Sequence, residues 1–139
     1  MAAIRGRNNK TTEALLVVWL RRNGITGWRR HLPLPGRPDF AFKQHKVAIF
    51  IDGCFWHGCP QHYRPPSSNP EFWFQKVESN RFRDRVANLL LRKKGWRVLR
   101  IWEHELKRKS EARVMRRIAR ALVDVSGHAF GMGALNRKP

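Results

Sequence analysis

The spacing of hydrophobic positions changes several times along this chain, and each change marks an element. In TEALLVVWLRRNG, Leu15, Leu16, Val18 and Trp19 recur at helical spacing and give a buried face. Thr11 or Thr12 stands where a cap belongs, and Gly24 closes the run. The basic stretch MAAIRGRNNK ahead of it, residues 1–10, reads as an arm or a helix start. GWRRHL suits an edge strand, because Pro33, Pro35 and Pro38 cannot serve a central ladder. Pro35-Gly36 marks a turn, and Asp39-Phe40-Ala41-Phe42 begins a second strand. Lys43 to Lys46 make a polar hairpin connection. Val47 to Ile51 is a continuous apolar run of the kind buried on both faces.

After the linker-like RPPSSNP, Asn69 can cap, Pro70 fits the first helical position and Glu71 suits the positive helix end. The spacing of Phe72, Val77, Phe82, Val86, Leu89 and Leu90 predicts a long helix to about Lys94, stopped by Gly95. WRVLRIW (Trp96 to Trp102) alternates and is β-rich, so a strand follows. Ser110 caps a last helix with Val114, Ile118, Ala121 and Leu122 on one face, and residues 127–139 read as a loose Gly-rich tail. The order predicts one α/β domain over residues 1–139. A hairpin pairs the Asp39 and Val47 strands, and the long helix crosses over to set WRVLRIW parallel to VAIFI. The result is a small mixed sheet flanked by helices.

Composition then narrows the partner. The chain carries 29 Lys+Arg against 10 Asp+Glu, a net charge of +19, yet 42% of its residues are hydrophobic. That is a folded protein with a strongly cationic surface, and such a surface attracts polyanions through counterion release. Double-stranded DNA is the expected partner, with Arg5, Arg7, Arg81 and Arg85 among the residues tracking phosphates. A merely soluble basic protein and an anionic membrane surface are the competing readings. The sequence contains no long apolar run and no signal peptide, which reads as cytoplasmic.

The chemistry concentrates in GCFWHGCPQHY, residues 53–63, which holds both cysteines of the chain. Cys54, Cys59 and His62 have the spacing of a loop wrapped around a structural zinc, and His104, at the end of the neighbouring strand, is the candidate fourth ligand. His31, His45 and His128 are worse placed for that role. His57 sits inside the loop beside Phe55 and Trp56. Antiparallel pairing brings the start of the Asp39 strand beside the end of the Val47 strand, so Asp39, Ile51, Asp52 and His57 should converge. A carboxylate with the Ile51 main-chain carbonyl suits Mg²⁺, and a neutral His57 could take a proton from an attacking water. Taken alone, Asp39 reads more readily as a turn-capping aspartate. Phe55 and Trp56, with Trp73, are either core contacts or wedges inserted between base pairs.

LPGRPDFAF, VAIFIDGCFWHGCPQH, EFWFQKVESNRFRDR and GWRVLRIWEHEL, in that order, resemble the very short patch repair (Vsr) family of DNA mismatch endonucleases. The likeness runs from about Arg5 through Leu106. It implies a restriction-endonuclease-like core of the PD-(D/E)XK type, carrying a structural zinc loop. It also implies Mg²⁺-dependent nicking of one strand beside a T:G mismatch. On this resemblance the metal ligands are Asp39 and the Ile51 carbonyl, the catalytic histidine is His57, and Glu13 and Asp84 support them. The zinc ligands are Cys54, Cys59, His62 and His104, and the intercalating aromatics are Phe55, Trp56 and Trp73.

Bottom-up, Glu13 could face the metal and hold its waters. Asp84 could accept the second ring N–H of His57, although a salt bridge to Arg81 or Arg85 in its own helix is the plainer reading. Members of the family carry more residues ahead of the stretch like MAAIRGRN, and some use more cysteine for zinc. Asp52 stands where some have histidine, and a second metal carboxylate is its candidate role. A strand-nicking enzyme can act as a monomer, and a mismatch-repair protein is a candidate partner. Two other readings stand beside this one: a related nuclease cutting paired DNA in restriction, mobile-element or anti-phage roles, and a non-catalytic zinc-stapled DNA-binding module.

Overall fold

The structure, a computed structural model, describes residues 2–54, 58–60, 64 and 66–123, with the backbone alone for 2–10. The elements are α1 (Ala2–Arg22), β1 (Trp28–Arg30), β2 (Phe40–Phe42), β3 (Val47–Asp52), α2 (Pro70–Lys93), β4 (Arg97–Trp102) and α3 (Glu111–Ala121), with 3-10 turns at Glu103–Glu105 and Arg108–Ser110. Helices and strands follow one another as the periodicity predicts. The sheet order is β1-β2-β3-β4. β1 and β2 pair antiparallel, as do β2 and β3, and β4 lies parallel to β3 with Asp52 opposite Trp102. The proline-flanked β1 is an edge strand, and β3 is buried along its whole length.

Alternation along β3 divides the core. Val47, Ile49 and Ile51 pack with Leu16, Trp19 and Leu20 of α1 and with Val114, Met115, Ile118 and Leu122 of α3. Ala48 and Phe50 look the other way, toward Leu91 of α2 and Trp96. Each such fully buried side chain contributes about 1.5–3 kcal/mol. Asp52 continues the second series and leaves the strand on the α2 face.

Several local expectations change. The stretch 1–10 takes the helical of its two readings, because α1 begins at Ala2, so Thr11 and Thr12 lie inside the helix and do not cap it. Val18 is 51% exposed; Glu13 shares the buried stripe with Leu16 and Leu20 instead. Asn69 precedes α2 in a left-handed conformation and its side chain makes no cap bond; its carbonyl accepts from the Trp73 amide. Ser110 precedes α3 without a side-chain cap bond.

The largest departure is in α2. Phe72, Phe82, Val86, Leu89 and Leu90, whose spacing predicts the helix, are exposed, and its buried residues are Val77, Ala87 and Leu91. Beneath α2 the sheet face carries Ala41 and Ala48, which pack with Leu91, while Ala87 faces Gly36 in the turn ahead of β2. A Cβ on Gly36 would lie 2.7 Å from the Ala87 Cβ. Among the described residues, no helix is long and apolar enough to cross a membrane.

Candidate functional site

One end of the sheet gathers the reactive side chains, because antiparallel β2 starts where β3 stops and parallel β4 stops beside it. Asp39 lies immediately ahead of β2. The Ile51 backbone N–H donates to its Oδ2 at 2.7 Å, which fixes the carboxyl against the end of β3. Burial pushes the Asp39 carboxyl up to about 7; the Ile51 N–H pulls it down, while the Glu13 carboxyl, hydrogen-bonded to it, and the Asp52 charge push it up further. Glu13 reaches this point because it sits one turn ahead of Leu16 on the core face of α1. Buried though it is, it is paired with Arg30 of β1. Ligand atoms of Glu13, Asp39 and His31 all lie within 4.8 Å of one another.

Asp52 converges on the same end but is held differently. It is buried, and Arg100 of β4 donates to both its oxygens, at 2.9 and 3.2 Å. The same guanidinium lies 3.5 Å from Asp84 Oδ1, donates to Asn88 at 3.0 Å, and stacks 4.0 Å from the Phe50 ring centroid. Asp84 therefore reaches across to β4. Arg81 pairs with Glu78, and donates to the Gly58 carbonyl at 2.6 Å. Arg81 thus ties Gly58 to α2. Gly58 has φ +63, and a Cβ there would meet Arg81 at 2.7 Å and Val77 at 2.8 Å.

The second cluster forms where β3 and β4 end side by side. Cys54 follows β3, His104 lies in the turn after β4, and the Cys59 amide closes the loop onto the Cys54 carbonyl at 2.9 Å. Cys54 Sγ and Cys59 Sγ lie 3.3 and 3.6 Å from His104 Nδ1, and ligand atoms of all three lie within 4.8 Å of one another. Glu103 anchors the loop start by accepting from the Cys54 amide at 2.8 Å. Burial pushes the Cys54 thiol up to about 12, with His104 pulling down and Cys59 and Glu103 adding to the rise. This donor set suits a soft or borderline cation, which binds the thiolate and displaces the proton. His104 is thus placed where the strand order puts it.

Phe55, Trp56, His57 and His62 lie outside the described residues. So do the side chains of Arg5 and Arg7, whose backbone belongs to α1. Trp73 is half-buried in the first turn of α2, edge-on to the exposed Phe72 at 4.9 Å, and Arg85 is exposed. Arg30, His31 and Arg100 are the site residues that sequence reading missed. The β1–β2 ladder ends at the Arg30–Phe40 pair, and His31 and Asp39 flank that pair.

The frame is a mixed α/β domain with two clusters of metal-ligating side chains at one end of a four-stranded sheet. Residues 1–63 match a family described as DNA mismatch endonuclease Vsr. The Type II nicking enzyme V.NaeI of Lentzea aerocolonigenes is 55% identical over 69 residues, 50% of this chain and 42% of that one. The Type II nicking enzyme V.HpaIIP of Haemophilus parainfluenzae is 38% identical over 107 residues, 74% of this chain and 76% of that one. The DNA mismatch endonuclease Vsr of Escherichia coli is 37% identical over 108 residues, 77% of this chain and 69% of that one. The chain belongs to the Vsr family of DNA endonucleases. It spans less than half the length of V.NaeI and about three-quarters of V.HpaIIP.

Proposed function

We propose that the chain is a divalent-cation-dependent endonuclease that nicks one strand of duplex DNA beside a T:G mismatch, on a restriction-endonuclease-like core of the PD-(D/E)XK type. The observation that carries it is the convergence of Asp39, the end of β3 at Ile51 and the buried Glu13 at one sheet end. The donors fit a hard dication: a half-buried carboxyl raised toward neutrality by burial and by a second acid gains most from one.

Asp39 and the Ile51 main-chain carbonyl hold the cation, and Glu13 orients its water shell. Bound Mg²⁺ supplies polarisation of the scissile phosphate and charge stabilisation on the departing oxygen. His57, carried between Cys54 and Gly58, accepts the proton of the attacking water, and Asp84 fixes its tautomer. Asp52, clamped by Arg100, serves as a fixed negative charge behind Asp39 rather than as a second ligand. Zinc bound by Cys54, Cys59, His104 and His62 stiffens the loop that presents Phe55 and Trp56 as wedges, with Trp73 beside them. Arg5, Arg7 and Arg85 track phosphates on a surface of net charge +19.

The relatives named nicking enzymes favour cleavage of one strand. They also give weight to a second reading, cleavage of fully paired DNA in restriction or anti-phage roles. A panel of labelled duplexes separates the two. Preferential nicking of a T:G duplex over its C:G parent supports repair. Equal cutting of both rejects it, and no cleavage of any duplex leaves a zinc-stapled DNA-binding module.

A further inference from the structure

We propose that His31 is a ligand of the cation held at Asp39, making this an oxygen–nitrogen site that favours Mn²⁺ over Mg²⁺. The inference rests on the reading of Asp39 as a cation ligand and adds the donor that sets which cation.

Three observations point to it. The β1–β2 ladder pairs Trp28 with Phe42, Arg29 with Ala41 and Arg30 with Phe40, so His31 and Asp39 are the two residues that flank its last pair. An imidazole nitrogen of His31 and carboxylate oxygens of Asp39 and Glu13 fall within 4.8 Å of one another, a span that one cation can bridge. A cationic nitrogen already occupies the neighbourhood of those donors: Arg30 Nη2 is hydrogen-bonded to Glu13 Oε1 and lies 3.4 Å from His31 Nε2, itself 3.4 Å from the same Glu13 oxygen. The guanidinium stands in for a positive ion where an oxygen-bearing acid and an imidazole meet. Arg30 is part-exposed, with its guanidinium 4.8 Å from the Phe40 ring centroid, so it has solvent to withdraw into.

The chemistry follows from the donors. Two carboxylates and water satisfy Mg²⁺, which gains little from a nitrogen ligand. Imidazole adds affinity for first-row transition dications, and Mn²⁺ is the one among them that also suits carboxylates. Removing the imidazole returns the site to oxygen donors and levels the preference.

The test uses the full-length, zinc-loaded chain with Mn²⁺ or Mg²⁺ alone as the probe. His31 has φ 54, a left-handed conformation that Asn and Gly adopt readily. His31→Asn and His31→Gly therefore suit the backbone, and circular dichroism checks their folding. Calorimetry gives both affinities, and pulsed electron spin resonance of bound Mn²⁺ detects nitrogen in its coordination shell. The expected result is a nitrogen signal in wild type that both variants weaken or lose while still binding Mn²⁺. Their Mn²⁺-to-Mg²⁺ affinity ratio should fall at least about tenfold, the low end of what losing even an outer partner costs a metal site. An unchanged nitrogen signal and affinity ratio in both variants would overturn the role of His31 while leaving the cation at Asp39 intact. Wild type that binds neither ion, or Asp39→Asn that binds both as tightly as wild type, would overturn the Asp39 reading itself.

Discussion

The backbone N–H of Ile51 donates to the Asp39 carboxyl across 2.7 Å, tying the residue ahead of β2 to the end of β3. One oxygen of the Asp39 carboxyl is therefore held by main chain, beside its side-chain contact with Glu13. Asp39→Asn keeps the shape and an acceptor oxygen but removes the charge. Strand cleavage should fall at least ~1,000-fold, equivalent to about 4 kcal/mol of lost charge stabilisation. Thermal melting and DNA affinity, measured in parallel, should stay close to wild type.

Arg100 and Asp52 form a partly buried pair, with side chains 20% and 7% exposed. Arg100→Met strands the Asp52 charge and should cost roughly 3 kcal/mol by urea denaturation, the low end for breaking a buried pair. The double variant Asp52→Asn/Arg100→Met should recover much of that loss. A single variant as stable as wild type would show that the pair contributes nothing to the fold.

The Cys/His cluster should hold one zinc per chain by elemental analysis. Cys59→Ser should release it, lower the melting temperature and reduce cleavage together, since the same loop carries His57. Full cleavage by a zinc-free protein would separate the two sites.

Gly58 is wedged against α2 at a φ of +63, where a Cβ would strike Arg81 and Val77. Gly58→Ala should cost about 1–3 kcal/mol in backbone strain alone. Cleavage should fall more than DNA binding, because the substitution displaces the loop without altering the phosphate-tracking residues.

Glu111 at the start of α3 is held below the usual carboxylate range, chiefly by the hydrogen bond from Arg22 at the end of α1, with Asn23 assisting. A depressed carboxyl stabilises the fold above its ordinary pKa, and that stabilisation is lost as pH falls through its lowered one. Glu111→Gln should therefore lower the melting temperature at neutral pH and leave it unchanged once the pH lies well below the lowered pKa.

Strand order and the meeting of Asp39 with Ile51 were legible because period and turn signals fix both ends of β2 and β3. His104 was legible for the same reason, through parallel β3 and β4. The burial of α2 was not: its apolar spacing is genuine, but Ala41 and Ala48 beneath it decide how much of the helix touches the sheet. Arg100 was hidden because an arginine in a β-rich run reads as surface until Asp52 and Asp84 are seen converging on it. The place of His31 beside Asp39 is not legible, because the β1–β2 register cannot be counted across three prolines.

The most direct measurement is strand-resolved cleavage of a T:G duplex, labelled separately on each strand, by wild type and Asp39→Asn with Mg²⁺ or with chelator. The prediction is a single nick in one strand, made only by wild type and only with the dication. Equal nicking by Asp39→Asn, or undiminished nicking in chelator, would contradict a cation-dependent centre at Asp39.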